Sequence, residues 1–395
     1  MKVDKKNLKR GKWITQEGVS LALRSINISL VSLWVIRTSG VDIWGAIVTF
    51  LIAAELMFSV VSWGQRPWLM RQFSTMPKDI NASWWLVVIS RLILFLFISF
   101  LVSFIPILQP YLWELYALVF LRVVAGSIDP IIQYRRKYSV SILSESLSIL
   151  LSLSLLIFYF KEISVDNIIL SIIAGASLKL LILTKVLPKL TLSGIGSTTL
   201  INNLKISWPF FALAIAGLFQ SKGELYVVNY FLSEAEIGFY HVLIGFLIMA
   251  QTFAGILLGP FQKNIYRLKP NEVQNLKKPF VRLGLASTIV FSIGLFLALL
   301  YVYKFTPSLI YLPLIFLYLI PLYAYLIECQ VLIKHNSEQA LLKFNLVAAI
   351  INIVLAIGLI PIIGVVGALI SGIISRIILA IMVVHKSGKL QLIND

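Results

Sequence analysis

Twelve times along this chain about twenty mostly apolar residues run together, the length an α-helix needs to cross the hydrocarbon of a bilayer. The runs are 13–35, 43–64, 84–105, 111–133, 141–160, 168–187, 206–231, 241–262, 283–303, 308–333, 345–363 and 365–385. Over the 395 residues 59% are hydrophobic and 13% are charged, with a mean hydropathy of +0.93. An ordinary soluble domain is about 25% charged, so this chain cannot cover itself with a water-facing surface. A soluble enzyme and a disordered chain are excluded, and the single cysteine, Cys329, excludes a disulfide scaffold. The expectation is an all-α integral membrane protein with twelve transmembrane helices.

The segment Met1–Lys12 is polar and carries six Lys/Arg. The run after it has no small-residue cleavage site and contains Arg24, so it reads as a retained span and not as a signal peptide.

Lys and Arg outnumber Asp and Glu by 34 to 17. In a soluble chain that surplus would suggest nucleic acid. Here its distribution reads as the positive-inside rule, with no nucleic-acid partner. The two termini and the connections after the even-numbered spans hold 24 of the cations. The connections after the odd-numbered spans hold three, Arg37, Lys161 and Lys304. Both termini are therefore expected in the cytoplasm, which requires an even number of crossings.

The longest segment outside the membrane is about twenty residues, near Gln262–Arg282, too short for a catalytic domain. No Gly-rich loop followed by Lys-Ser/Thr is present to hold nucleotide phosphates. His241, His335 and His385 are scattered at span ends without metal-ligand spacing. No cofactor, metal or enzymatic activity is expected, and Cys329 reads as a small packing residue.

The twelve spans suggest two halves of six. Ser39–Gly45 opens the second span with Pro67 at 22 residues beyond Gly45, and Ser233–Gly238 opens the eighth with Pro260 at 22 beyond Gly238. Gly175 precedes Lys179 by four residues in the sixth span, as Gly372 precedes Arg376 in the twelfth. The lobes are expected at 1–190 and 191–395.

Several of these residues look like one family. The seventh span into the eighth reads Trp208-Pro209, Glu224, Ser233-Glu-Ala-Glu-Ile-Gly-Phe-Tyr240, then Pro260. The eleventh turns into the twelfth through Asn352, Pro361, Gly364, Gly367 and Ala368, and the segment with Gly45 and Arg71 also fits. The chain thus resembles the polysaccharide-biosynthesis (O-antigen, lipid-linked oligosaccharide) flippases of the multidrug/oligosaccharidyl-lipid/polysaccharide exporter superfamily. The resemblance implies two pseudo-symmetric six-helix bundles in a V, working by alternating access on a lipid-linked sugar. One departure stands out: the family's Asp-Arg pair in the seventh span is here Glu224-Leu225.

Seven cations remain inside the spans: Arg24, Arg91, Arg122, Lys179, Lys185, Lys222 and Arg376. A cation facing lipid at mid-span costs about 2.5–3.5 kcal/mol, so seven would cost on the order of 20 kcal/mol. Arg91 and Lys185 sit near span ends and are expected to snorkel. Arg24, Lys179, Lys222, Arg376 and Arg122 are expected to face a polar cavity, with structural ion pairs as the other outcome. The deep acids are Glu55, Asp129, Glu145, Glu224 and Glu328. Ser141, Glu145, Ser148 and Ser152 form a stripe at helical spacing, and Lys222-Gly223-Glu224 suggests a break in the seventh span.

An embedded cation surplus suits an anion that must cross the membrane. A polyprenyl-diphosphate-linked oligosaccharide has phosphates for Arg and Lys, sugars for a hydrated cavity and a tail that can stay among membrane lipid. The reading is a flippase of a bacterial inner membrane moving such a unit from cytoplasmic to outer leaflet. Arg24, Lys179, Lys222, Arg376 and Arg122 would hold the substrate, and Glu55, Asp129 and Glu224 would couple to an ion gradient. A polysaccharide polymerase and glycosyltransferases would be its partners. A cation-coupled multidrug exporter would want an acidic cavity instead. A membrane glycosyltransferase or polymerase would want a large outward loop with acidic residues, and a non-transporting scaffold would need no mid-span cations.

Overall fold

The computed structural model describes residues 5–160, 162–189, 197–265, 270–335 and 337–393. Lys161 and the expected 190/191 lobe junction lie outside the described residues. Twelve α-helices order the described chain: α1 Lys5–Ser39, α2 Val41–Ser62, α3 Gln65–Thr75, α4 Ile80–Val102, α5 Leu112–Arg135, α6 Tyr138–Ser154, α7 Val165–Leu183, α8 Ser197–Phe231, α9 Glu234–Ile265, α10 Pro270–Leu297, α11 Tyr311–Lys334 and α12 Glu338–Ile393. Among the described residues there is no strand. Backbone polar groups in lipid must bond within their own segment, which selects helices for runs this apolar.

Eleven helical segments of the described residues are long and apolar enough to cross a membrane. The last, Glu338–Leu390, has 53 residues, about 80 Å if straight at 1.5 Å per residue. It is not straight. Ile363 (φ −127°, ψ 18°) and Gly364 (φ 57°, ψ −137°) leave the helical region. Beyond them, Ser375 Oγ donates to the Ala348 carbonyl at 2.8 Å, a contact that only a reversal permits. Gly364 supplies the positive φ that other residues resist. At Gly367 a Cβ would lie 2.7 Å from the Leu359 backbone, so the hairpin closes only over a glycine. The two runs 345–363 and 365–385 are thus separate antiparallel segments, and the expected twelve are present.

The short α3 is amphipathic. Gln65, Trp68, Leu69 and Phe73 are buried while Arg66 and Arg71 are exposed. It follows α2 through two left-handed residues, Trp63 (φ 48°) and Gly64 (φ 58°). A Cβ on Gly64 would collide with the Phe210 backbone in α8. Trp63 stacks on Phe211 with ring centroids 4.2 Å apart and donates to the Leu204 carbonyl.

The chain divides into two compact units, Met1–Ile215 and Ala216–Asp395, the division falling within α8. In the first, α2 and α4 pack on each other and on α5, and α6 packs on α7 and α1. In the second, α9 and α10 pack on each other and on α11, and α11 packs on α12. The neighbour order of α2, α4 and α5 recurs in α9, α10 and α11, in line with the repeat read from sequence. Gly45 and Gly238 are both buried one turn into α2 and α9. Trp68, Phe73, Trp84, Ile128 and Ile131 centre the first core, and Ala254, Phe280, Tyr323 and Ile327 centre a second. Leu96, Phe97, Phe100 and Phe104 on and just after α4 point outward, as lipid-facing side chains do.

Candidate functional site

In the first unit four helices each deliver one charge to a common point. Ser20 and Arg24 are one turn apart on α1, and Ser141 and Glu145 are one turn apart on α6, so the two helices meet rung by rung. The Ser20 and Ser141 hydroxyls lie 2.7 Å apart, and one turn on, Arg24 Nε lies 2.9 Å from Glu145 Oε1. From α5, Asp129 receives both ends of the Arg24 guanidinium, Nη1 to Oδ2 at 2.7 Å and Nη2 to Oδ1 at 2.6 Å. From α7, Lys179 Nζ reaches the same Glu145 Oε1 at 2.6 Å. The cluster is neutral, two cations against two carboxylates.

Its exposure is uneven. The side chains of Arg24 and Lys179 are 26% and 23% exposed, those of Asp129 and Glu145 15% and 2%. The acids form the floor and the cations the open face. Beside the cluster a cavity of about 30 Å³ is lined by Glu17, Arg24, Arg66, Asp129, Gln133 and Ser141, among others, room for roughly two waters. The serine stripe of α6 is buried throughout, with Ser141, Ser148 and Ser152 at 1%, 3% and 2% exposure. Gly175 of α7 lies directly over it.

Arg122 of α5 is half-buried and interacts electrostatically with Glu55 of α2. Lys185 is exposed, consistent with snorkelling, whereas Arg91 corrects that expectation. It is 2% exposed, with Nε donating to Gln65 Oε1 at 3.2 Å and Nη1 to Ser127 Oγ at 2.9 Å. Its position faces α3 and α5, which enclose it before it could reach the interface.

The second unit has its own buried group. Glu224 of α8 is fully buried. Its Oε1 accepts from the Tyr318 hydroxyl of α11 at 2.9 Å, and its Oε2 accepts from Asn352 Nδ2 of α12. Arg376 of α12, 2% exposed, lays its guanidinium 3.7 Å from the Tyr318 ring centroid. It donates to the carbonyls of Gly372 and Ser221, each at 3.3 Å. Lys222 is half-buried. It lies about 200° around α8 from Glu224 at 3.6 residues per turn. The expected break at Lys222-Gly223-Glu224 is absent, since α8 is one helix. Gly223 instead lets the Ile353 side chain within 3.2 Å of where a Cβ would stand.

Sequence reasoning did not single out Gln65, Ser127, Tyr318 or Lys277 for any polar contact. Lys277, read as part of a cytoplasmic connection, pairs with Glu328 at 2.5 Å because α10 already begins at Pro270. Ser387 also donates to Glu328. Asn352 carried the one available signal, an amide deep within the apolar run 345–363.

No protein-family model matches the sequence, and no curated protein matches it. Solved structures do. An inward-facing multidrug resistance MATE family transporter of the MOP superfamily superposes with a TM-score of 0.67 at 11% identity, over 94% of each chain. The lipid II flippase MurJ in an inward closed conformation gives 0.67 at 13% identity, over 93% of this chain and 87% of that one. The MATE multidrug transporter DinF-BH gives 0.61 at 13% identity, over 94% and 93%. At such identities the likeness is one of fold, and the fold of this chain is that of the all-helical MATE and MurJ membrane transporters.

Proposed function

We propose that the chain is a flippase that carries a polyprenyl-diphosphate-linked oligosaccharide from the cytoplasmic to the outer leaflet of a bacterial inner membrane. The observation that carries this reading is the layering in the first unit, where Arg24 and Lys179 are about a quarter exposed above a Glu145 that is 2% exposed. A face of guanidinium and ammonium groups held up by acids beneath is pre-arranged for phosphate oxygens. Arg66, Gln133 and Ser141 around the adjoining cavity offer further donors to a diphosphate or its first sugar. Arg122 adds a further cation within the first unit and Lys222 is a substrate-binding candidate of the second, while Asp129 and Glu55 are the acids to exchange a proton or sodium ion. The working lobes are 1–190 and 191–395, both termini cytoplasmic, rocking by alternating access. A polymerase and glycosyltransferases of the same polysaccharide are the partners.

The test is outward movement of a fluorescent diphosphate-linked lipid sugar in vesicles holding purified protein. Arg24→Ala and Lys179→Ala should each lower the rate at least tenfold at equal protein. Wild-type rates in both would sink the assignment.

A multidrug exporter is the second reading, favoured by the MATE structure's TM-score of 0.67, equal to that of MurJ. Efflux of a cationic dye from the same vesicles, with no movement of the lipid sugar, would establish it.

A further inference from the structure

Glu224 is buried at 0% exposure in the middle of an apolar helix. An unpaired carboxylate there is prohibitively costly, so the group is either held protonated or balanced by a counter-charge. In a transporter that counter-charge is often a mobile ion, bound and released during the cycle. The surroundings of Glu224 contain a cation that cannot leave. The position a Cβ of residue 372 would occupy is 3.3 Å from Glu224 Oε1 and 3.2 Å from Arg376 Nη1. Carboxylate and guanidinium therefore border the same empty side of Gly372, at most about 6.5 Å apart and without direct ion-pair contact. Tyr318 joins them from the side, its hydroxyl donating to Glu224 and its ring lying under the guanidinium. A cation over an aromatic face is itself stabilised by the ring quadrupole. The Gly372 and Ser221 carbonyls fix the other guanidinium edge.

The remaining groups around Glu224 do not compete for this part. Asn352 and Tyr318 are neutral donors. Tyr240 lies in electrostatic reach of Glu224 and Tyr325 in reach of Arg376, and neither carries positive charge. Lys222 lies on the far side of α8. A sodium ion or an extra proton at Glu224 would have to displace or sit beside a guanidinium of like charge.

We infer that Arg376 is the built-in counter-cation of Glu224, a tethered group in the position of a mobile coupling ion, so that this unit closes around its acid without sodium or potassium. The inference deepens the transporter reading but does not depend on which substrate is carried. It removes Glu224 from the candidates for ion coupling. It also separates Arg376 from Arg24 and Lys179, which keep an open face.

The experiment measures thermal unfolding of the full chain in nanodiscs, in 150 mM sodium chloride against choline chloride at one pH, about 7.5. Wild type should melt at the same temperature in both. Arg376→Gln should melt lower in choline and recover at least half the loss in sodium, and that recovery should vanish in the Glu224→Gln/Arg376→Gln double variant. A sodium-dependent rise in wild type that Glu224→Gln abolishes would overturn the inference, because a mobile ion would then occupy the site. An Arg376→Gln variant indifferent to sodium would overturn it equally. Should Arg376→Gln fail to accumulate, accumulation of the neutral double variant supports the pairing and its failure too counts against it. The lipid-sugar assay is independent of all these outcomes, so loss of the flippase reading would show there and not here.

Discussion

Arg24 and Asp129, 105 residues apart, meet through two parallel N–H···O bonds of 2.7 and 2.6 Å. Fork-to-carboxylate contact of this kind is the strongest geometry available to a side-chain ion pair, and it ties α1 to α5. The same arginine leans on Glu145, which also carries Lys179.

Removing an acid from this cluster leaves a cation in a largely apolar surrounding. Breaking a buried pair costs about 3–5 kcal/mol, and the quarter exposure of Arg24 and Lys179 reduces that through solvent screening. Asp129→Asn should therefore lose about 1–2 kcal/mol and Glu145→Gln about 2–3 kcal/mol, the larger loss because two cations share its oxygen. Thermal denaturation in detergent ranks them, and equal or reversed losses would contradict the shared-oxygen geometry.

Gly175 governs how closely α7 approaches α6. A Cβ there would collide with Ser152 Oγ and lie 2.9 Å from the Ser148 carbonyl oxygen. The hydroxyl can swing aside, giving up its bond to the Ser171 carbonyl, but the carbonyl cannot. Gly175→Ala should cost about 1–3 kcal/mol. Adding Ser152→Ala should return only part of it, which a thermal melt of the double variant would reveal.

At Gly364 the φ of 57° with ψ of −137° is a region open to glycine alone. Gly364→Ala should cost about 1–3 kcal/mol, whereas Gly358→Ala, with nothing within 4 Å of its Cβ, should be neutral or stabilising. Melting temperatures of the pair decide, and a harmless Gly364→Ala would mean the reversal is placed elsewhere.

Arg91 gives the opposite kind of test. Among the described residues no carboxylate lies within ion-pair distance of it; its acceptors are Gln65 and Ser127. Arg91→Met removes the desolvation cost of a buried charge, which offsets the donor that Gln65 loses, so stability should change by less than about 1 kcal/mol. Ser127→Ala keeps the charge and removes an acceptor, and should cost about 1–3 kcal/mol. Chemical denaturation of both variants would expose a reversed order.

The spans and the Gly364 turn could be read from sequence because bilayer thickness imposes a length on every crossing and glycine alone tolerates that turn. Pairings could not. Arg24 and Arg91 are the same residue in similar apolar runs, yet one keeps an open face on two acids and the other is sealed among neutral groups. What separates them is contact with α3, α5 and α6, elements 26 to 121 residues away along the chain. Gly223 failed as a local signal for the same reason. Between opposite charges it reads as a break, but its missing side chain serves a neighbour, Ile353.

The reversal at Gly364 also has an electrical consequence. Folded back, α12 brings Lys386 and Lys389 to the side of the membrane on which Glu338 and Lys343 begin. Extended as one rod, it would carry both lysines to the opposite face. In a cell energised with a negative interior, each such charge forced outward works against about 2.3 kcal/mol per 100 mV. With both termini cytoplasmic, as proposed above, a single left-handed glycine would spare the chain a voltage penalty that two lysines would otherwise impose at every insertion.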